Sequence, residues 1–447
     1  MRILASLLLV ASVALAQNVQ REGGLGAGVP RPVKLAPAPA GTVVLECGAL
    51  WDGESDGVRQ NVRVVIEGER IKEVGAAAAA PAGAQVIRLA NQTCLPGLID
   101  THTHTFLQGD RIPGQYDAQL LKQSVAFRAL EAAAAARASL DWGFTTIRDL
   151  ETEGAGYADA DLRDAIRQGI IPGPRMQVAT RAMDVTGAYP LAPAYAWDVR
   201  VPIGVQTVDG PEGGRVAVRE QLSHGADWIK VYADRGGRIN DQGVIEDIPT
   251  FTLDELRAIV DETHRQRHRV AAHATGINGV HNAVTAGVDT IEHGNYIAPE
   301  DLQTMAAKGI YLVPTLYVAQ YDAELKAGPG GTPVETQGQR VHGDTFSRAL
   351  RAGVKIAFGT DVGAFEWDIS PAREFPLMVK YGMSPLQALR SATTVAAELM
   401  QMQGDIGTLE AGKFADVIAV PGNPLADVNL LEKTAFVMKG GRVYKRP

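Results

Sequence analysis

Cysteine is nearly absent from this chain. Only Cys47 and Cys94 occur in 447 residues. That is too few for a disulfide scaffold, and neither has ligand spacing with a histidine, so a cysteine-based metal site is excluded. Two readings of the pair stay open: one disulfide, or two buried thiols. Basic charge is also short, with 43 Lys and Arg against 51 Asp and Glu and a net charge of −8. No basic run appears, which argues against nucleic acid and against a membrane-surface patch. After the first residues no apolar run is long enough to cross a bilayer. No GxGxxG or GxxxxGK[ST] follows a strand pattern, so nucleotide binding has no support. No repeat of solenoid period is visible.

What is present begins with a secretory signal. Arg2 is a short positive region, Ile3 to Leu15 an apolar core, and Ala14-Leu15-Ala16 offers small residues for cleavage before Gln17. Residues 1–16 are therefore expected to be removed, and the mature protein to be secreted or periplasmic, free of the membrane. Residues 17–40 are rich in Gly, Ala and Pro and read as a linker. Short strand signals fill 41–95 and return in 405–447, which predicts a small β-sandwich domain built from both chain ends. Between them, over 96–404, eight apolar strands alternate with helical patterns: 98–104, 145–150, 175–180, 227–233, 269–274, 290–294, 311–316 and 355–361. The helical patterns include 121–142, 253–268 and 276–286; this alternation predicts an α/β fold with a parallel sheet, and eight units predict a (β/α)8 barrel of the TIM type.

In such a barrel the chemistry sits at the C-terminal ends of the strands. His102 and His104 close the first strand, two apart and so on one face. Asp100 shares that face and is a candidate to accept the second N–H of a ligating histidine. His273 ends the fifth strand, His293 the sixth and Asp361 the eighth. Alone, each histidine is as well explained as a satisfied buried residue, and Asp361 as a helix cap. Together they set four imidazoles and a carboxylate around one barrel mouth, a set suited to divalent metal. Lys230 on the fourth strand leaves two readings. Its amine could take up carbon dioxide to give an anionic ligand bridging two metals, or its ammonium could pair with buried carboxylates. Arg148, Arg181, Arg235 and Arg238 are candidates for binding a substrate carboxylate. The loop over 181–215 is long and reads as a lid over the pocket; it carries Tyr189, Tyr195 and Trp197, and the loop after the seventh strand, over about 317–340, reads as mobile.

The segments CLPGLIDTHTH, WIKVYAD, AAHATG, TIEHG, FGTD and GTLEAGKFADVIAV resemble the amidohydrolase superfamily over most of the chain. They are most similar to its imidazolonepropionase-related, Xaa-Pro dipeptidase-like (carboxypeptidase-like) subgroup. The resemblance implies two divalent metals: His102, His104 and Asp361 hold one, His273 and His293 the other, and an N6-carboxylated Lys230 bridges them. It implies hydrolysis of an amide C–N bond in a dipeptide or N-acyl amino acid, or in ochratoxin-type molecules. Asp361 is then the proton acceptor, and Tyr232 a catalytic and substrate-binding residue. Imidazolonepropionase itself lacks the bridging lysine, so Lys230 argues against that activity. Where many relatives carry Gly-Gly-His after the third strand, this chain has Thr186-Gly187-Ala188-Tyr189. The expected substrate-binding set is Tyr232, Tyr189, Arg235 and Arg148. Zinc suits the mixed ligands, as do manganese and cobalt. The expected partner is a small-molecule substrate, and assembly as a homo-oligomer is left open. The competing readings are a cyclic-amide or lactone hydrolase, a one-metal deaminase on the same fold, and a non-catalytic binding barrel.

Overall fold

The computed structural model describes residues 41–76, 78–188, 195–196 and 198–447. The expected signal and linker, Tyr189 and Trp197 lie outside the described residues. Four strands open the described chain: β1 (Thr42–Leu50), β2 (Arg59–Glu67), β3 (Arg70–Gly75) and β4 (Gln85–Pro96). Eleven occupy its middle: β5 (Leu98–Thr103), β6 (Phe144–Asp149), β7 (Arg175–Val178), β8 (Met183–Asp184), β9 (Gln206–Thr207), β10 (Trp228–Tyr232), β11 (Asp234–Ile239), β12 (Ile245–Pro249), β13 (Arg269–Ala274), β14 (Thr290–His293) and β15 (Tyr311–Val313). Three close it: β16 (Val417–Pro421), β17 (Phe436–Lys439) and β18 (Arg442–Lys445).

Both chain ends do join. They form one seven-stranded sheet in the order β18-β17-β16-β4-β1-β2-β3, where a sandwich of two sheets was expected. The alternating apolar residues of β1, β2 and β4 meet Val417, Ala419, Phe436 and Met438 in a core of their own. Within it Cys47 of β1 and Cys94 of β4 form a disulfide, which resolves the two readings of the pair. The bond closes a sequence separation of 47 residues. Its loss in a Cys47→Ala/Cys94→Ala variant should lower the unfolding free energy by about 2–4 kcal/mol. Denaturant midpoints of the two proteins measure this, and equal midpoints would contradict it.

The central strands give a TIM-barrel-like α/β arrangement. One parallel ladder runs β5-β6-β7 and a second runs β15-β14-β13-β10-β8-β9. The third expected strand is split, with β7 pairing β6 and β8 pairing β10. Thr180, between them, has a positive φ of 59°. The Asp227 N–H donates to the Val178 carbonyl at 2.7 Å and ties the two ladders.

The eighth expected strand is not regular, yet it occupies its place. Leu312 and Lys355 are joined on one side at 2.9 Å, and Thr101 donates to the Phe358 carbonyl on the other at 2.9 Å. Close approach explains the irregularity. A Cβ on Gly359 would stand 2.3 Å from Val313 Cγ1 and 2.9 Å from His102 Cβ, so only glycine fits there.

Three local expectations need correction. The helix expected over 121–142 is two, Gln115–Lys122 and Val125–Asp141, because the Ser124 hydroxyl caps the second by accepting from Phe127 N at 3.2 Å. The strand expected to reach 316 stops at Val313, where Pro314 removes a donor, and Leu316–Ala327 is helix where a mobile loop was expected. The hairpin β11–β12 follows the fourth barrel strand where no sheet was anticipated.

Candidate metal centre

The first barrel strand delivers both of its histidines to one point. His102 Nε2 and His104 Nε2 are 3.3 Å apart. Asp361 Oδ1 lies 3.4 Å from the former and 3.2 Å from the latter. Ligand atoms bound at about 2.0–2.1 Å in a tetrahedral shell are separated by about 3.3 Å. The three atoms therefore already have the spacing of donors to a single ion.

His293 brings its ring to 5.0 Å from that of His102 and 4.5 Å from that of His273. His102, His293 and Asp361 form one group whose ligand atoms lie within 4.8 Å of one another. Lys230 is 1% exposed. Among the described residues no carboxylate oxygen makes a salt bridge with it, so the ammonium–carboxylate reading of this lysine is not realised. All six expected metal ligands thus surround one barrel mouth.

Second contacts fix which nitrogen of each ring faces inward. Glu292 Oε2 accepts from His102 Nδ1–H at 2.8 Å, which leaves Nε2 with its lone pair. His293 Nδ1 lies 2.8 Å from Thr315 Oγ1, so Nε2 again faces the centre. His273 Nε2 lies 3.7 Å from Asp234 Oδ1. Asp234 also accepts from Thr275 N at 2.6 Å and Gly276 N at 2.9 Å, fastening the end of β13.

Backbone strain concentrates here. Glu153, His293, Thr315 and Asp361 are four of eight described non-glycine residues with positive φ. Such conformations persist where the surroundings over-determine them. At Asp361 the N–H donates to the His102 carbonyl at 2.8 Å, which locks the carboxylate over the histidine pair.

Electrostatics agree with metal-ligand chemistry, which needs neutral imidazole. Burial and the Lys230 charge hold His102 well below its ordinary range and bring His273 to about 3. Burial and the neighbouring rings of His273 and His102 do the same to His293. His104 goes the other way. Burial lowers it, but the hydrogen bond and charge of Asp361, with Glu153 beyond, raise it to about 9. Burial raises Asp361, yet His102 and His104 outweigh it and keep the carboxyl below its ordinary range.

Two expectations about supporting residues change. Asp100 does not touch a histidine ring. Its Oδ1 accepts from the His102 backbone N–H at 3.0 Å and its Oδ2 from the Thr360 hydroxyl at 2.6 Å, because so short a side chain reaches the neighbouring backbone first. It stitches the two ligand-bearing segments together.

Arg148, expected among the substrate-binding residues, is fully buried. Its guanidinium donates to the Thr101 carbonyl and, at 2.8 Å, to Glu292 Oε1, and it stacks on Trp228 at 4.4 Å. It positions Glu292 and has no open face for a substrate. Arg181 and Arg238 pair with Glu220 and Glu246. Arg235 is exposed on β11 and donates to the Gly187 carbonyl at 2.8 Å.

Tyr232 places its ring 4.8 Å from that of His273, and its hydroxyl donates to Glu151 Oε2 at 2.7 Å. Glu292, Glu151 and Glu153 were not anticipated. Glu292 could have been suspected as a charge inside an apolar strand, and the Glu151-Thr152-Glu153 turn follows directly on β6. In Glu292→Gln, His102 and Arg148 lose their shared anion. Metal affinity should drop about 10–100-fold, and stability by about 3–5 kcal/mol. Metal titration and thermal unfolding measure the two effects, and a variant matching the parent in both would contradict the assigned role.

Comparisons with known proteins give the family. The model of the amidohydrolase family matches residues 93–444. The chain belongs to the amidohydrolase family. Enzymes of this family are typically metal-dependent. Ochratoxinase of Aspergillus niger is 30% identical over 93% of this amidohydrolase and 90% of its own length. Imidazolonepropionase of Streptomyces griseus is 25% identical over 83% of this chain and 88% of its own. Among solved structures, a Xaa-Pro dipeptidase with methionine bound in its active site is 32% identical, with a TM-score of 0.78. It covers 91% of this chain and 100% of its own. The resemblance read from the sequence therefore holds. This amidohydrolase is a hydrolase of the class that acts on C–N bonds.

Proposed function

We propose that this protein is a binuclear metal-dependent amidohydrolase that cleaves the amide C–N bond of a dipeptide or N-acyl amino acid. The observation that carries it is the meeting of His102 Nε2, His104 Nε2 and Asp361 Oδ1 at 3.2–3.4 Å, beside His273, His293 and the buried Lys230. The residues fit two ions: the first three would hold one, His273 and His293 the other. Lys230 would bridge them after its neutral amine adds carbon dioxide and loses a proton. The resulting carbamate replaces a buried cation by an anion at the point where four imidazoles and two metals need one. Zinc suits this mixed nitrogen and oxygen set. Bound there, the ions supply a water acidified to near neutrality and a Lewis acid for the scissile carbonyl.

The chain's own groups do the rest. Asp361, held below the ordinary carboxyl range by its two histidines, is ionised at neutral pH and free to accept the proton of the attacking water. It then hands that proton to the leaving amine, as a general base that becomes a general acid. Tyr232 lines the pocket beside His273 and holds Glu151. Arg235, exposed on β11, would be the guanidinium that meets the substrate carboxylate. We also propose that the protein is secreted or periplasmic, cleaved after residue 16. The Cys47–Cys94 disulfide supports this, since such bonds persist in oxidising compartments.

The test is a hydrolysis screen of dipeptides varied at the C-terminal residue, with N-acyl amino acids and lactones beside them, run with metal analysis. Amide cleavage by protein holding about two ions per chain is expected. Full activity with one ion, or activity confined to lactones, would overturn the proposal.

A further inference from the structure

The metal centre uses one side of His104. The other side has a lining of its own. Glu151 and Glu153 follow β6 and are 0% and 3% exposed. With His104 they bring ligand-type atoms within 4.8 Å of one another. Glu153 Oε1 stands 3.6 Å from His104 Nδ1, and its other oxygen accepts from the Tyr116 hydroxyl at 2.8 Å. Tyr232 occupies Glu151 Oε2, but Glu151 Oε1 is buried with no hydrogen-bond partner. Among the described residues no lysine or arginine makes a salt bridge with Glu151.

A separate loop, after β5, adds Asp110. Its N–H donates to the Ala364 carbonyl at 3.1 Å, three residues beyond Asp361, and it lies in the field of Asp361, Glu153 and His104. Its Oδ1 is likewise buried without a hydrogen-bond partner, with Arg111 Nη1 3.7 Å away. Arg111 itself is taken by Asp322, to which it donates at 2.8 and 2.6 Å.

Buried acceptors without donors are unfavourable, and a cluster of them beside a catalytic centre calls for a cationic donor. A primary ammonium brings three N–H bonds on a compact charge. We propose that Glu151, Glu153 and Asp110 form a subsite for the α-ammonium on the acyl side of the substrate, so that the enzyme favours a dipeptide with a free amino terminus over an N-acyl amino acid. The inference rests on the amide-hydrolase reading and chooses between its two substrate classes. Geometry ties the subsite to the centre: Tyr232, whose ring stands 4.8 Å from that of His273, donates its hydroxyl to Glu151 Oε2 at 2.7 Å.

The test compares two substrates differing only by the ammonium: an alanyl dipeptide and the propionyl derivative of the same C-terminal residue, that residue being the best in the screen. The parent protein should favour the alanyl substrate about 100-fold in kcat/KM. Glu151→Gln and Asp110→Asn, both near-isosteric, should each shrink that ratio about tenfold or more. Equal rates on the two substrates would overturn the inference while leaving the hydrolase reading intact. So would a parallel loss on both in the variants, which would mark the carboxylates as structural. A 6-aminohexanoyl derivative preferred over the alanyl one would overturn the α-amino assignment. A metal content that falls by one ion in Glu151→Gln would turn the pocket into a metal site and overturn it as well. Cleavage of neither substrate by the parent would sink the hydrolase reading. Calorimetric binding of the same pair would then decide the subsite, with equal affinities overturning it.

Discussion

Replacing Lys230 by alanine should lower kcat/KM at least about 10³-fold and reduce the bound metal from about two ions per chain to one or fewer. Lys230 is the one group in the centre whose ordinary charge is wrong for it. An ammonium 1% exposed among His102, His104, His273 and His293 would repel any cation that those rings bind. Among the described residues no carboxylate makes a salt bridge with it, although Asp361 and Glu151 lie in its field. Converted to a carbamate, it would supply the bridging anion that the proposed centre needs. Circular dichroism of the alanine variant should match that of the parent, which separates this loss from misfolding. A short carboxylate such as acetate or propionate, added in excess, should restore part of both metal content and rate. Metal analysis beside steady-state kinetics measures this. Two ions retained with a small loss of rate would show that Lys230 is a packing residue.

Asp361→Asn should lower kcat about 10²–10⁴-fold with the fold intact. Asparagine keeps the shape of the side chain and tolerates the positive φ of 62° found at this position. The substitution therefore isolates the charge. What disappears is the negative charge 3.2 Å from His104 Nε2 and the group that takes and returns a proton. His104 should respond directly. Asp361, with Glu153 behind it, raises that imidazole to about 9 in the metal-free protein. With the carboxylate gone the metal-free value should fall, because burial alone lowers it. NMR titration of His104 reads this separately from activity. A variant with near-parent kcat, or an unmoved His104, would contradict the assignment.

The parts of this site that were legible in the sequence share a cause. His102, His104, His273, His293 and Asp361 sit at or just past the ends of short apolar strands, and Lys230 in the middle of one, where polar residues interrupt a regular pattern and the fold dictates one destination. Glu292 escaped because alternation assigns neighbours on a strand to opposite faces. His293 breaks that rule with a φ of 70°, so both side chains turn to the interior.

Arg148 was read as a substrate contact because an arginine near a barrel mouth usually meets solvent. Its partner Glu292, invisible to a one-dimensional pattern, takes it into the core. Glu151 and Glu153 lie in a turn with no periodicity, and their burial depends on Tyr116 and Tyr232, which belong to other segments. The eighth strand looked regular by composition. The tight approach of Gly359 to Val313 and His102 makes it a kinked insertion instead. The terminal domain was readable as strands from both ends, but whether they make one sheet or two depends on the pairing of β4 with β16, which no local signal encodes.

One titration tests the central claim most directly: zinc added back to metal-stripped protein in bicarbonate buffer, with hydrolysis of the best dipeptide followed at each step. Two ions joined through Lys230 predict little activity up to one equivalent per chain, a rise to a plateau at two, and dependence of that rise on bicarbonate. Full activity at a single equivalent, indifferent to bicarbonate, would contradict it.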